Sequence, residues 1–410
     1  MADILLNTIL FLVLFDYLAG FFLDYINFKN WPMKLTDKVR LFYDLDRYVK
    51  AFRYNKDHYF LGLLEKGLSV VMITAFLLFG GFNQLDIFVR SIADSEFSVT
   101  LLFFGILYLG HDILFFPFQY YSTFVIEENY GFNRTRFALY ISDKLKSYIL
   151  IALLGSFFIA VMMFLYGMFQ SQAWIFVWGV FTAVMIFFQI YYTTLIVPIF
   201  NKLTPLAPGK LRNEIEKFAE KVNFPLDNIY VMDGSKRSAK ANAFFSGVGK
   251  KKKIVLYDTL IEKHTTDELV SVLAHEVGHY KKKHVYQGMA FSIFSSAVML
   301  FLLFWFAGNP YASSAVGIQN PGFHGSLLAF GILFGPLSFL LGMAGNILSR
   351  KNEYEADDFA VKNSGQASLS SALKKLNIMH LANVTPHPLY VFFHYSHPPL
   401  ISRLENIQRR

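Results

Sequence analysis

The residues with the clearest chemical potential in this 410-residue chain are His275-Glu276-Val277-Gly278-His279. On a helix, positions i and i+4 lie on one face, one turn apart, so both imidazoles can reach a single Zn²⁺. Glu276 projects beside them, where it can take the proton from a metal-polarised water attacking a carbonyl. Two histidines leave a catalytic zinc one protein ligand short. No third histidine follows at the metzincin spacing: Val285 stands there, and the only nearby histidine is His284. The chain has no cysteine, so any metal must be held by histidine and carboxylate. Ser349-Arg-Lys-Asn-Glu353-Tyr-Glu355-Ala-Asp357 supplies candidates. On a helix Glu353 and Asp357 share a face. Glu353 could bind zinc while Asp357 accepts the outer N–H of a zinc-bound histidine and fixes its tautomer. Glu355 points elsewhere and is the alternative ligand. Alone, this segment reads as a charged, solvated helix face; pairing with the HEVGH helix reverses that preference.

These residues need elements to hold them. Thr265 and Glu268 form a capping box, and Leu269, Val272 and Leu273 supply an apolar stripe, which predicts a helix carrying HEVGH. Asn228-Ile-Tyr-Val-Met and Lys253-Ile-Val-Leu-Tyr read as short strands, and Ala243-Phe-Phe-Ser with Gly247-Val-Gly as a hairpin edge. Around these polar regions the chain is apolar. Hydrophobic residues make up 54% and charged residues 17%, against about 25% charge in a soluble domain. Seven apolar spans are expected, near 4–25, 61–82, 98–117, 147–168, 173–200, 287–307 and 326–348. Each approaches or exceeds the ~20 residues that cross a bilayer. The first reads as an uncleaved anchor, with no small-residue cleavage site after a short apolar core.

Basic residues set the orientation. Segments 26–60, 118–146, 201–286 and the tail from Arg350 hold eight, four, sixteen and eight Lys or Arg, 36 of the 38 in the chain. Alternate loops are therefore basic and expected to face the cytosol, which places the N-terminus outside and the C-terminus inside. The net charge of +8 then reflects topology and implies no nucleic-acid partner. The sequon at Asn133 falls on the cytosolic side and reads as coincidental. Asp16, Glu65, Lys66, His111 and Asp112 lie within spans, where they either face a polar internal space or pair with one another.

At these residues the chain resembles the integral-membrane zinc metalloproteases of the CAAX prenyl endopeptidase family, type 1. The likeness extends beyond HEVGH to Ser349-Arg-x-x-Glu353-x-x-Ala-Asp357, Asp233-Gly-Ser-Lys-Arg-Ser with Asn242-Ala-Phe-Phe, and His397-Pro-Pro-x-x-x-Arg403. It also takes in Tyr121-Ser-Thr-Phe-Val-Ile-Glu-Glu-Asn-Tyr-Gly-Phe-Asn133. The resemblance implies a mainly α, polytopic membrane protein. Seven transmembrane helices would enclose a chamber, with a gluzincin-like α+β zinc metalloprotease domain on the cytosolic side. It implies one Zn²⁺ per chain on His275, His279 and Glu353, with Glu276 as general base and Asp357 behind the ligands. Asn242, Ala243 and Phe244 match the peptide-binding segment, where an extended substrate adds a strand. His397 matches a position that stabilises the tetrahedral intermediate, and Arg403 one near the substrate carboxylate or backbone. Without the family, His397-Pro398-Pro399 is a rigid turn, Arg403 a solvated charge and Asn242 a turn residue. Lys281–Lys283 and His284 need no catalytic role.

The expected organisation is a membrane domain over 1–200 and peptidase segments at 201–286 and 349–410, with two further spans over 287–348. The expected activity is removal of three C-terminal residues from prenylated proteins, with the lipid bilayer as the other partner. The rival in the same class is a quality-control protease acting on misfolded or translocon-stalled proteins. Outside that class stands a non-catalytic scaffold or transporter, which needs no Glu276. One departure from the family pattern concerns specificity: Ser238-Ala-Lys240-Ala-Asn242 stands where the family reads Ser-x-x-His-Ser-Asn. The C-terminal Gln-Arg-Arg lacks a dilysine signal, which favours a bacterial inner membrane over the endoplasmic reticulum.

Overall fold

The computed structural model describes residues 2–32, 35, 37–40, 43–225, 228–246, 253–309 and 311–410. Gly247 to Lys252, part of the expected hairpin edge and basic turn, lie outside the described residues. The N-terminal half is helical: α1 (Ala2–Lys29), α2 (Leu45–Leu78), α3 (Gly81–Ile92), α4 (Glu96–Tyr121), α5 (Phe137–Phe169) and α6 (Ala173–Leu195). Large apolar side chains stay exposed along them, among them Ile149, Leu153, Phe157, Phe164 and Met168 of α5. Exposed apolar surface on that scale marks lipid as the solvent.

Among the described residues, five continuous helical stretches are long and apolar enough to cross a membrane, and six if one bent pair counts as a single span. Length and apolarity alone thus account for five or six of the expected seven. The difference lies partly in the stretch 137–200, whose 64 residues are about three times the ~20 that one crossing needs. It is broken at Gln170, whose φ of 53° turns the chain between α5 and α6. The expected intramembrane charges are partly paired. Lys66 meets Asp24 at 2.5 Å, and Lys144 meets Asp112 at 2.8 Å with Tyr148 also donating to that carboxylate.

The polar segment after α6 forms a four-stranded sheet from β1 (Leu203–Pro205), β2 (Asn228–Met232), β3 (Ala243–Ser246) and β4 (Lys253–Tyr257). The order is β1-β2-β4-β3, with β2 and β4 parallel and the other pairs antiparallel. β3 is thus an edge strand, as its sequence suggested. Between β1 and β2 runs α7 (Lys210–Lys221). Beyond the sheet comes α8 (Thr266–Lys281), opened by the expected Thr265–Glu268 capping box. Leu269, Leu273 and Val277 of α8 pack with Ile215, Phe218, Ile254 and Leu256 into one buried core.

The chain leaves α8 through Lys283, held at φ 61°, and enters α9 (His284–Ala307). α10 (Phe323–Leu333) and α11 (Gly335–Ser364) follow, bent by 52° at their junction. The polar helical stretch directly after the last span is part of the same helix: α11 continues unbroken from the apolar segment through Glu353 and Asp357. The carboxylates therefore sit on an extension of the last apolar helix. α12 (Gln366–Met379) and α13 (Leu400–Gln408) lie in the C-terminal polar region.

Candidate active site

α8 and α11 lie against each other closely enough to require a glycine. A Cβ built on Gly278 would stand 3.0 Å from Ala356 Cα and 3.1 Å from Ala356 O. Gly278 separates the two motif histidines, and Ala356 lies between Glu353 and Asp357. The contact therefore brings the expected metal residues together. His275 Nε2 and His279 Nε2 are 3.2 Å apart. Glu353 places Oε2 3.4 Å from His275 Nε2 and Oε1 3.2 Å from His279 Nε2. Ligand atoms bound tetrahedrally at about 2.0–2.1 Å lie roughly 3.3–3.4 Å from one another. The triangle already has that size. Glu353 is buried, and its Oε2 makes no hydrogen bond, with Arg403 Nη1 at 3.3 Å and His275 Nε2 at 3.4 Å as ion-pair contacts. A dication fits this donor set and would satisfy that oxygen. Glu355, the alternative ligand, stands away from the triangle.

Partners behind the triangle fix the ring tautomers. His275 Nδ1 is 2.9 Å from Asp357 Oδ1, so it donates outward and leaves Nε2 for the metal. His279 Nδ1 lies 3.0 Å from His284 Nδ1, and His284 Nε2 lies 3.2 Å from Glu355 Oε2. One proton per contact satisfies the chain: His279 donates to His284, and His284 donates to Glu355. The sequence reading had left His284 without a role. The signal for it was weak, because the backbone reverses at Lys283 and helical spacing no longer predicts which side chains meet.

The electrostatics suit a metal competing with protons. Burial pushes the His275 imidazole down, but hydrogen bonds to Asp357 and Glu353 outweigh it and hold it up at about 9. Burial raises the Glu276 carboxyl above its ordinary value, against the pull of His275 and His279. A raised carboxyl is the better proton acceptor near neutral pH.

Arg403 lines the cleft with its charge already engaged. Its Nε and Nη2 donate to Asp357 at 2.8 and 2.6 Å, and Nη1 pairs with Glu353. The guanidinium thus holds two carboxylates of the metal group while bordering the cleft. The Phe244 side chain packs with Val197, Met232 and Val255, on the side of the sheet away from the main core. Asn242 and Ala243 do reach the site. With His275, Glu276, His397 and Arg403 they line a cleft of about 610 Å³. Asn242 O accepts from Tyr257 N of β4 at 3.0 Å. By strand alternation Ala243 then turns its backbone groups to the open edge. His397 is 65% exposed, with Nε2 3.4 Å from Glu353 Oε1. On the far side of Glu276 and His279 lies a second cavity of about 400 Å³, lined in part by Val285, Phe291 and Leu348.

Comparison with known proteins decides the family. Residues 205–410 match the model of peptidase family M48, and residues 24–202 match that of the CAAX prenyl protease N-terminal region with five membrane helices. The chain belongs to peptidase family M48. This M48 peptidase is 34% identical over 376 residues to a CAAX prenyl protease 1 homolog of Arabidopsis thaliana, covering 88% of the chain and 87% of the relative. It is 35% identical over 330 residues to CAAX prenyl protease 1 of Saccharomyces cerevisiae, covering 76% and 72%. The crystal structure of S. mikatae Ste24p superposes with a TM-score of 0.93 at 28% identity, over 98% of this chain and 99% of that one. The M48 peptidase is thus a multi-pass membrane metalloendopeptidase, acting on peptide or protein.

Proposed function

We propose that this chain is a zinc endopeptidase that removes the last three residues of prenylated C-terminal tails. The observation that carries the reading is the His275–His279–Glu353 triangle, opening with Glu276 into a cleft bordered by the edge strand β3. The names of the relatives support the substrate class. One Zn²⁺ per chain on those three residues would supply Lewis-acid polarisation of a water and of the scissile carbonyl. The rest falls to side chains. An extended tail lies along β3, hydrogen-bonding to backbone whatever its side chains, with Asn242 at the head of the strand. Glu276 takes the proton of the attacking water, holds it at its carboxylate and passes it to the leaving amine. His397, exposed at the rim, turns an imidazole N–H to the developing oxyanion. Asp357, Arg403 and the His284–Glu355 pair hold the ligand rings and carboxylate in orientation.

In the membrane, α5 and α6 would cross separately, giving seven spans around a chamber. The basic loops would keep the peptidase region and the C-terminus cytosolic and the N-terminus outside. The domain plan is a membrane domain over 1–200, peptidase segments at 201–286 and 349–410, and two membrane helices over 287–348. The test compares kcat/KM for a farnesylated tail peptide and its unprenylated twin in purified, zinc-loaded protein. A strong preference for the farnesylated peptide, cut three residues from its end, is expected. Equal turnover of unprenylated membrane-protein fragments would instead favour the quality-control role.

A further inference from the structure

The stretch Tyr121–Asn133, singled out in the sequence, has no part in the metal chemistry. Its structure is unusual. Ser122–Ile126 forms a π-helical turn, a feature often found at functional sites. The next residue, Glu127, serves as a hub between domains. Its main-chain oxygen accepts from Phe132 N and Asn133 N at 2.7 and 3.1 Å. Its carboxylate accepts from Tyr54 Oη at 2.5 Å and contacts His58 Nε2 at 3.2 Å. From the peptidase domain, Lys240 Nζ reaches the same carboxylate at 3.0 Å. That ammonium also sits over the Phe132 ring, 4.6 Å from its centroid, and donates to Tyr54 Oη at 2.9 Å.

Lys240 lies two residues before Asn242, where the family pattern has histidine. The segment around it is fastened at each residue. Arg237 makes a two-pronged pair with Asp143 at 2.7 and 2.9 Å, Ala239 N donates to Phe132 O, and Ala241 N donates to His380 Nε2 at 3.2 Å. Lys240 O accepts from Thr259 Oγ1 at 2.9 Å. The fastenings end at Asn242, where the open edge begins. The membrane domain thus holds the base of the strand whose position any bound peptide must match.

We propose that the Glu127–Lys240 pair is the joint through which the membrane domain sets the position of the peptide-binding edge. Lys240 is then a positioning residue for substrate, acting through β3. The inference rests on the reading of β3 as the peptide site. A part-buried ion pair of this kind couples its partners measurably, and a misplaced edge weakens peptide binding without touching the metal residues.

The experiment measures KM, kcat, zinc content and melting temperature for full-length Lys240→Met, Lys240→Arg, Glu127→Gln and the Lys240→Met/Glu127→Gln double variant. Lys240→Met should raise KM for the tail peptide about tenfold with kcat and zinc content near wild type. Lys240→Arg should restore most of the binding. The double variant should be no worse than the poorer single one. Equal falls in kcat and zinc content, additive single effects or an unchanged KM would each overturn the inference. Asn242→Ala separates the two levels of the argument. If it raises KM and Lys240→Met does not, the joint is wrong and the edge stands. If neither changes KM, both fall.

Discussion

Replacing Gly278 with alanine places a methyl group where the two metal helices touch. The added Cβ would meet Ala356 Cα at 3.0 Å, Ala356 O at 3.1 Å and Phe359 Cβ at 3.2 Å. Two of these atoms are backbone and cannot rotate away. Carbon atoms in comfortable contact lie about 3.5–4.0 Å apart, so α8 and α11 must separate by roughly 0.5 Å or more. Metal–ligand distances tolerate only about 0.2 Å. His275 and His279 move with α8 and Glu353 with α11, so the separation opens the ligand triangle. Zinc affinity should fall about 10- to 100-fold, or about 1.4–2.7 kcal/mol. Overpacking should also cost about 1–3 kcal/mol of fold stability. Competition with a chromogenic chelator measures the first effect and thermal unfolding of the metal-free protein the second. Gly288→Ala is the matched control, since a Cβ there meets nothing within 4 Å. Wild-type zinc affinity in Gly278→Ala, or an equal loss in Gly288→Ala, would refute the reasoning.

Other expectations concern the side chains around the triangle. Glu276→Gln should retain zinc and lose at least about 10²–10⁴-fold in kcat, because the amide cannot accept the proton; metal analysis with steady-state kinetics checks both halves. His284→Ala should weaken zinc binding by about tenfold or more while leaving the three ligands in place, as read by chelator competition. Arg403→Ala should do more damage than its distance from the reaction suggests, since it leaves Asp357 and Glu353 without their cation; a loss of about 3 kcal/mol in stability is expected. The pH dependence follows from His275, which in the metal-free protein is raised from 6.5 to about 9. Its proton stabilises the metal-free fold fully below pH 6.5, and that contribution is lost as pH rises through 9. Zinc must displace this proton, so apparent zinc affinity should keep rising to about pH 9. A plateau above pH 6.5 would contradict that.

The metal motif was legible in the sequence because helical spacing is local: His275 with His279, Glu353 with Asp357, and the Thr265–Glu268 box each lie within one turn or so. What the sequence hid depends on distant contacts. Arg403 and Asp357 are 46 residues apart, and no periodicity pairs them, so the clamp that this charge makes on two carboxylates was not legible. Phe244 is the same kind of case. A two-residue alternation says that Phe244 and Ala243 face opposite ways, but only the register with β4 says which one faces the cleft. The last apolar helix shows the limit of hydropathy, which falls after Leu348 and marks where the lipid-facing part ends but not where the helix ends, since Ser349–Asp357 contains no proline or glycine to break it. The turn at Lys283 concealed His284, because a residue in the left-handed region cancels the helical phase.

The most direct test of the central claim is product analysis by mass spectrometry of a farnesylated tail peptide cut in heavy-oxygen water, with Glu276→Gln beside wild type. A metal-dependent hydrolase using Glu276 as base should release the terminal tripeptide. It should place one heavy oxygen on the new carboxylate of the prenylated fragment, in wild type and not in the variant, and a chelator should abolish the product. Intact peptide after incubation with folded, zinc-loaded wild type, or equal cleavage by Glu276→Gln, would contradict the account.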